Sequence, residues 1–131
     1  MIIVDTTVWI DYFGGADNPE TDWLDRSLSR QRLGLTDLIL CEVLQGMRSD
    51  AAFAEVRDEL LKFQIFAAGG TNLALAAANH YRALRQKGFT VRKTIDCWIA
   101  TFCLLSNHQL LHRDRDFDSF ERVLGLQVVH P

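Results

Sequence analysis

Short runs of β-branched and aliphatic residues alternate along this chain with longer segments whose apolar residues recur at helical spacing. The first run, Ile2-Ile3-Val4, is typical of a strand buried on both faces of a parallel sheet, and it ends at Asp5. The apolar residues between Val8 and Phe13 then follow a helical period, and Thr6 or Thr7 is placed to cap that helix. A strand followed by a helix is the first half of a β-α-β unit.

The same alternation continues to the C-terminus. It predicts strands at 32–35, 64–66, 109–111 and 126–129, and helices at 20–31, 37–47, 50–63, 71–87, 94–106 and 116–123. Thr36 and Thr94 are expected to cap the helices that follow them, and Phe53, Val56 and Leu60 to face inward, with Leu61, from the helix at 50–63. Repeated alternation of strands and helices favours an α/β sandwich with a parallel sheet, formed here by a single domain over residues 1–131.

The composition is that of an ordinary globular domain, with 48% hydrophobic and 24% charged residues. The apolar stretch from Cys97 to Leu105 is far shorter than the ~20 residues that cross a bilayer, and Asp5 interrupts the first apolar run. We therefore expect a cytoplasmic protein without a membrane segment. Cys41, Cys97 and Cys103 lack CxxC spacing and are expected to be reduced, mostly buried thiols.

The net charge of −3 argues against a protein that holds nucleic acid by bulk electrostatics, but the charges are unevenly distributed. The segment from Leu60 to Ile95 contains no Asp or Glu. Its basic residues are Lys62, Arg82, Arg85, Lys87, Arg92 and Lys93. Two interpretations stay open at this point, a solvated helix face and a rim that contacts phosphates.

Acidic residues lie where predicted strands and helices meet. Asp5 follows the first strand, and Asp114 and Asp116 follow the fourth. Ligands of open parallel sheets bind at this carboxyl edge, and Asp96, in the first turn of an apolar helix, is expected at the same edge. Glu42 lies in a helix that is apolar almost all the way round, where a carboxylate needs a positive or protonated partner.

A divalent cation shared by these acids explains their convergence. Carboxylates without soft ligands select Mg²⁺ or Mn²⁺ over zinc or copper. Such an ion activates water and neutralises charge on phosphorus oxygens, as phosphodiester hydrolysis requires. Structural roles without a metal stay open for each acid: Asp5 as a strand-end residue, Asp96 as a helix-start charge, Glu42 as a satisfied buried acid, and Asp114 or Asp116 as a helix cap.

Four segments of the chain resemble the motifs of the PIN-domain family, and more narrowly those of its VapC-type toxins. They are Ile2 to Ile10, Thr36 to Val43, Thr94 to Ala100 and Leu110 to Phe117. The resemblance covers the whole chain and implies a three-layer α/β sandwich with a short, mostly parallel sheet flanked by helices. It implies that the metal ligands and catalytic acids are Asp5, Glu42, Asp96 and Asp114, with Asp116 as a fifth metal-binding acid and Thr6 as a supporting hydroxyl.

The resemblance also implies a function. A VapC-type protein would be an Mg²⁺-dependent endoribonuclease, with Mn²⁺ as a substitute, that leaves 5′-phosphate and 3′-hydroxyl ends. It would act as the toxin of a toxin–antitoxin pair, form a homodimer, and be inhibited by a cognate antitoxin whose Arg or Lys reaches the acids. Arg92, Lys93, Arg113 and Arg115 flank the acids and are our candidates for contacting RNA phosphates.

Three other interpretations are weaker. A haloacid-dehalogenase-like phosphohydrolase needs an acid two positions after its first Asp, where this chain has Thr7. Metal-free cleavage by histidine pairs is disfavoured because His80, His108 and His130 are scattered and only His112 lies near the acids. A non-catalytic PIN-like domain that binds metal or partners stays open. His112 stands where many relatives have Thr or Ser, which leaves the hydrogen bonding of the following acid undefined.

Overall fold

A four-stranded parallel sheet forms the centre of the fold. The computed structural model describes all residues from 1 to 131. The strands are β1 (Ile2–Val4), β2 (Leu33–Thr36), β3 (Gln64–Phe66) and β4 (Gln109–Leu111), in the spatial order β3-β2-β1-β4. Every residue of β1 and β2 is buried, as expected of strands covered on both faces.

Seven α-helices connect the strands and flank the sheet. They are α1 (Thr6–Phe13), α2 (Pro19–Ser27), α3 (Asp37–Gln45), α4 (Asp50–Leu60), α5 (Thr71–Gln86), α6 (Thr94–Ser106) and α7 (Asp118–Leu124). A 3-10 turn over Arg115–Phe117 precedes α7. The predicted α/β sandwich with a short parallel sheet is confirmed.

The predicted strand at 126–129 does not form. It is reduced to one parallel bridge between Leu110 and Val128. The backbone N–H of Leu126 donates instead to the carbonyl oxygen of Phe120 at 3.1 Å, which closes the C-terminal end of α7 at Gly125. Only two residues, Gln127 and Val129, remain to exchange backbone hydrogen bonds with Leu110 of β4.

The caps of the helices are only partly as predicted. Asp5 caps α1, because its side chain accepts a hydrogen bond from the N–H of Thr7, and neither Thr6 nor Thr7 is the cap. Thr36 caps α3 as predicted. Thr94 is the first residue of α6 rather than its cap, so the prediction that it caps this helix is wrong.

The buried face of α4 is narrower than its apolar spacing predicts. Val56 and Leu60 are buried, but Phe53 and Leu61 are exposed. Leu61 serves as the C-cap of α4 and turns away from the core with the chain. The prediction of an inward-facing Phe53 and Leu61 is therefore wrong.

Trp9 anchors α1, the helix that follows the first acid, against the core. Its side chain is fully buried, and the centroid of its ring lies 5.8 Å from the ring centroid of Phe13 and 5.2 Å from that of Phe63. Burial of a large aromatic side chain contributes about 1.5–3 kcal/mol of hydrophobic free energy. The start of α1 is consequently held in place by packing as well as by the β1 strand that precedes it.

The cysteines are free thiols, as expected. Cys97 and Cys103 are buried, and burial raises the pKa of Cys97 to about 11 and that of Cys103 to about 12, so both stay protonated near neutral pH. Cys41 is exposed. No helix in the protein combines the length and the apolar character that crossing a membrane requires.

Gly34 allows the close approach of β2 and β3, and its replacement tests the packing of the sheet. A Cβ at this position would lie 3.0 Å from the carbonyl oxygen of Gln64 and 3.1 Å from the ring of Phe66. We expect Gly34→Ala to lower the free energy of unfolding by about 1–3 kcal/mol, measured by urea denaturation. Gly69→Ala is the control, because its Cβ would have no neighbour within 4 Å. Equal stability of the two variants would contradict this account.

Candidate metal centre

A solvent-open pocket of about 510 Å³ lies at the carboxyl edge of the sheet. Four of the five candidate acids line it, and Ile10 is its one hydrophobic lining residue. The four acids are Asp5 at the end of β1, Glu42 in α3, Asp96 in the first turn of α6, and Asp114 after β4. Residues far apart in the chain are thus brought to one place by the strand ends, as the sequence predicts.

Asp5 is buried and held by Thr7. Its Oδ2 atom accepts hydrogen bonds from the Thr7 backbone N–H at 3.2 Å and from the Thr7 hydroxyl at 2.7 Å. The pKa of Asp5 is raised to about 6, chiefly by burial and also by the charge of Glu42, although the hydrogen bonds from Thr7 act in the opposite direction.

Asp96 is buried with one carboxylate oxygen, Oδ2, that has no hydrogen-bond partner. Burial, followed by the charges of Asp5 and Asp114, raises its pKa to about 7. A buried carboxylate oxygen without a donor, among other carboxylates, is unfavourable unless a cation neutralises it. The donor set is all oxygen, so these residues fit a hard divalent cation.

Glu42 is positioned by a hydroxyl from α1. The Thr6 hydroxyl donates to Oε1 of Glu42 at 2.7 Å, which joins α1 to α3 above the end of β1. The carboxylate that the apolar sequence of α3 leaves unexplained therefore has one neutral donor and faces the acidic pocket.

Asp114 and Asp116 are joined through the 3-10 turn. Oδ1 of Asp114 accepts the backbone N–H of Asp116 at 2.9 Å, so Asp114 is the cap of this turn. Carboxylate oxygens of Asp96, Asp114 and Asp116 lie within 4.8 Å of one another. Asp116 does not line the pocket, and Arg92 contacts both of its oxygens at 3.2 Å.

His112, which stands where many relatives have Thr or Ser, forms a hydrogen bond with the backbone of Asp114. Its Nδ1 atom accepts the backbone N–H of Asp114 at 3.0 Å. An accepting Nδ1 places the proton on Nε2, which is buried without a partner. Burial lowers the pKa of His112, so the ring stays neutral near pH 7.

The four candidate RNA-contacting residues differ in their surroundings. Lys93 and Arg113 line the pocket, whereas Arg92 and Arg115 do not. Arg113 is paired with Asp11 at 2.6 Å, and Arg92 is paired with Asp116. Lys93 makes no ion pair within 4.0 Å, and its charge lowers the pKa of Asp96.

Thr7 is a site residue that was not predicted from the sequence. The Thr7 hydroxyl donates to Asp5 and also accepts the backbone N–H of Arg113 at 3.1 Å, across 106 positions of the chain. It thereby connects the first acid to the loop that carries Asp114. The available signal was a hydroxyl two residues after a strand-end Asp, a spacing at which side chains commonly bond the backbone.

Asp11 was missed as well. It lies one helical turn after Thr7 on α1, lines the pocket, and holds the guanidinium of Arg113. The signal that could have found it was its i,i+4 position relative to Thr7, which places both residues on the same face of α1.

Comparison with known proteins agrees with the fold. The model of the PIN-domain family matches residues 2–123. The chain belongs to the PIN-domain family. It is 31% identical to the protein named ribonuclease VapC11 of Mycobacterium tuberculosis, over 98% of this chain and 97% of that protein. The resemblance inferred from the four motifs is confirmed.

Two solved structures share this PIN fold. One is VapBC2 from Rickettsia felis bound to a promoter DNA fragment, with a TM-score of 0.77 and 16% identity over 98% of each chain. The other is VapBC-5 from Mycobacterium tuberculosis, a member of the VapBC family of toxin–antitoxin systems, with a TM-score of 0.71 and 18% identity over 98% of this chain and 97% of that one.

Removal of the buried charge at Asp96 tests the electrostatics of the metal-free PIN domain. Because the folded pKa lies above the unfolded value, the folded state holds the extra proton, and stability is lost as pH rises from about 4 through about 7. In EDTA at pH 8, we expect Asp96→Asn to raise the free energy of unfolding by about 1–3 kcal/mol, a difference that narrows towards pH 5.

The measurement is thermal or urea unfolding of both proteins across this pH range. Asp58→Asn, which neutralises an exposed acid of α4, serves as the control and should change stability little at any pH. If metal-free Asp96→Asn unfolds more easily than the wild type at pH 8, the burial of the Asp96 charge is not unfavourable and this account is wrong.

Proposed function

We propose that the single PIN domain formed by residues 1–131 is a metal-dependent endoribonuclease and the toxin of a toxin–antitoxin pair. The observation that carries this proposal is the buried, unpartnered oxygen of Asp96 in a pocket shared with Asp5, Glu42 and Asp114. RNA as the substrate is supported by the relative at 31% identity, which is named a ribonuclease.

The metal ligands we propose are Asp5, Glu42, Asp96 and Asp114. Mg²⁺ is the expected ion, with Mn²⁺ as its substitute, because both accept an all-oxygen ligand set. A divalent ion held by these residues would lower the pKa of a water and would neutralise charge on the phosphoryl oxygens. Thr7 orients Asp5 by two hydrogen bonds. Thr6 orients Glu42 by a single hydrogen bond from its hydroxyl.

RNA approaches a pocket that is itself anionic, so basic residues at its wall are needed to hold a phosphate. We assign this contact first to Lys93, which lines the pocket without an ion-pair partner within 4.0 Å. Arg113 is held by Asp11 and lies 3.8 Å from Glu20, so we expect it to form part of the pocket wall rather than to bind a phosphate of the substrate. Arg115 is exposed and contributes long-range attraction.

The alternative functions have less support. A haloacid-dehalogenase-like phosphohydrolase requires an acid where Thr7 stands, and the Thr7 hydroxyl is engaged by Asp5 and by the Arg113 backbone. A non-catalytic metal-binding or partner-binding domain would also account for the four acids around the pocket, but it has no support from the relative at 31% identity, which is named a ribonuclease.

Cleavage of RNA with and without divalent ions tests the proposed nuclease. We expect Mg²⁺ or Mn²⁺ to be required, EDTA to abolish cleavage, and products to carry 5′-phosphates. Asp5→Asn and Asp96→Asn should each reduce the cleavage rate roughly 100-fold or more, because each removes a carboxylate that holds the ion. Asp58→Asn, on the surface of α4, should cleave like the wild type. Undiminished cleavage in EDTA, with 2′,3′-cyclic phosphate products, would sink the proposal.

The partner we propose is a small antitoxin that binds beside the acids. A groove of about 380 Å³ lies between α1 and α4; Phe13, Met47, Ala52 and Val56 are among its apolar lining residues, and Glu55 and Glu59 also line it. Ile10 lines both this groove and the acidic pocket. An antitoxin segment with an apolar face in the groove can therefore extend an Arg or Lys to the carboxylates. We also propose a homodimer, as the PIN resemblance implies, which sedimentation measures directly.

Filling the groove tests this partner. Ala52 is half-buried in the groove, and a glutamate there would place a charge against the apolar face of the antitoxin. With the antitoxin encoded beside this protein, we expect Ala52→Glu to weaken inhibition of RNA cleavage about tenfold or more, equivalent to about 1.4 kcal/mol. Ala51→Glu, on the same helix but outside the groove, is the matched control. Equal inhibition of both variants would place the antitoxin elsewhere.

A further inference from the structure

Asp116 differs from the other four acids in the partner it has. Nε of Arg92 donates to its Oδ2 and Nη2 to its Oδ1, both at 3.2 Å. This is the two-point arrangement in which a guanidinium fixes its own orientation against a carboxylate. Both oxygens of Asp116 are thus occupied by an arginine of the same chain.

The location of Asp116 also sets it apart. Asp5, Glu42, Asp96 and Asp114 line the acidic pocket, and Asp116 does not. Its oxygens are nevertheless close enough to those of Asp96 and Asp114 to share an ion with them. Asp116 therefore has two competing roles, as a fifth ligand of the metal or as the anchor of Arg92.

The exposed fractions of the two side chains favour the role of Asp116 as the anchor of Arg92. The side chain of Asp116 is 13% exposed, whereas that of Arg92 is 67% exposed. A guanidinium has five N–H donors, and two of them are used by Asp116. The remaining donors are available to an acceptor in solvent, beside Lys93, which lines the pocket.

The surrounding sequence supplies the reason for such an anchor. Arg92 and Lys93 are the last basic residues of the segment from Leu60 to Ile95, which contains no acid, and Asp96 in α6 directly follows that segment. An unrestrained arginine four residues before the buried carboxylate of Asp96 would be drawn towards it and would compete with a metal ion. A partner outside the pocket keeps Arg92 at the rim, where it can contact a polyanion.

We infer that Asp116 is a positioning residue that acts through Arg92. It holds the guanidinium at the rim of the acidic pocket to bind an RNA phosphate, and it does not coordinate the divalent ion. The inference rests on the proposed nuclease function for the identity of the anion, but the pairing itself and the exclusion of Asp116 from the metal site do not require cleavage.

Two measurements that need no catalysis test the inference. The first is Mn²⁺ affinity by calorimetry, for which we expect Asp116→Asn and Arg92→Ala to bind within about twofold of the wild type, and Asp114→Asn to bind at least about tenfold more weakly. The second is RNA affinity in EDTA by fluorescence anisotropy. Here Arg92→Ala should weaken binding about three- to tenfold and reduce the slope of log affinity against log salt by about one.

The double variant distinguishes the two roles of Asp116. If Asp116 acts through Arg92, Asp116→Asn should weaken RNA binding in the wild type and add less than twofold in the Arg92→Ala background. Arg92→Lys, which keeps the charge and loses the two-point contact, should be intermediate. The matched controls are Arg57→Ala and Asp58→Asn, which remove an exposed Arg–Asp pair on α4 and should leave both affinities unchanged.

Two results would overturn the inference. The first is a loss of Mn²⁺ affinity in Asp116→Asn as large as that in Asp114→Asn, since it would make Asp116 a ligand. The second is unchanged RNA affinity and salt slope in Arg92→Ala, since it would leave the guanidinium without a phosphate. If the wild type bound RNA and Mn²⁺ as described but cleaved no RNA, only the proposed nuclease function would fail.

Discussion

Two buried carboxylates without a buried counter-charge impose the constraint on which the rest of this site depends. Asp5 and Asp96 are buried at the carboxyl edge of the sheet, and no Lys or Arg is among the buried residues. Water no longer solvates these carboxylates, and repulsion from neighbouring carboxylates adds to the cost, so their pKa values rise to about 6 and about 7. The fold must hold them together against this repulsion, and it does so mainly with uncharged groups, assisted at Asp96 by the charge of Lys93.

The groups that hold the acids are hydroxyls and rigid core packing. Thr7 donates to Asp5, and Thr6 donates to Glu42 on α3. Both threonines lie in the first turn of α1, which the buried Trp9 fixes against the core. Neutral donors orient a carboxylate without neutralising it, so the acids keep the affinity for a cation that a buried lysine would remove. Local folding and metal binding therefore make compatible demands on this turn.

The sequence predicts the framework of the fold better than its local details. β1, β3 and β4 match their predicted limits, because short β-branched or aliphatic runs bounded by polar residues have few alternatives in an α/β chain. The closing strand fails because the N–H of Leu126 is used by α7, a choice between two hydrogen-bond partners that residue type does not determine. Thr94 fails as a cap because a threonine before a helix is compatible with either position.

In the candidate site, the positions of the acids could be predicted from the sequence, whereas the contacts of the arginines could not. The convergence of Asp5, Asp96 and Asp114 follows from strand ends that meet at one edge, which topology makes predictable. The contacts of the arginines depend on residues distant in sequence, 102 positions apart for Arg113 and Asp11 and 24 for Arg92 and Asp116.

The two acids that pair with arginines, Asp11 and Asp116, which we call the outer acids, keep those arginines away from the inner carboxylates of the pocket. Asp11 lies at one side of the pocket and engages Arg113, and Asp116 lies outside it and engages Arg92. A guanidinium held by an outer carboxylate has less to gain from moving onto Asp96, whose Oδ2 stays without a donor. Such an arrangement places fixed positive charge near the path of an anionic substrate while the inner carboxylates remain free to bind a cation. An arginine of the antitoxin that we propose as a partner would have no acid of this kind to restrain it, and so no such barrier to reaching them.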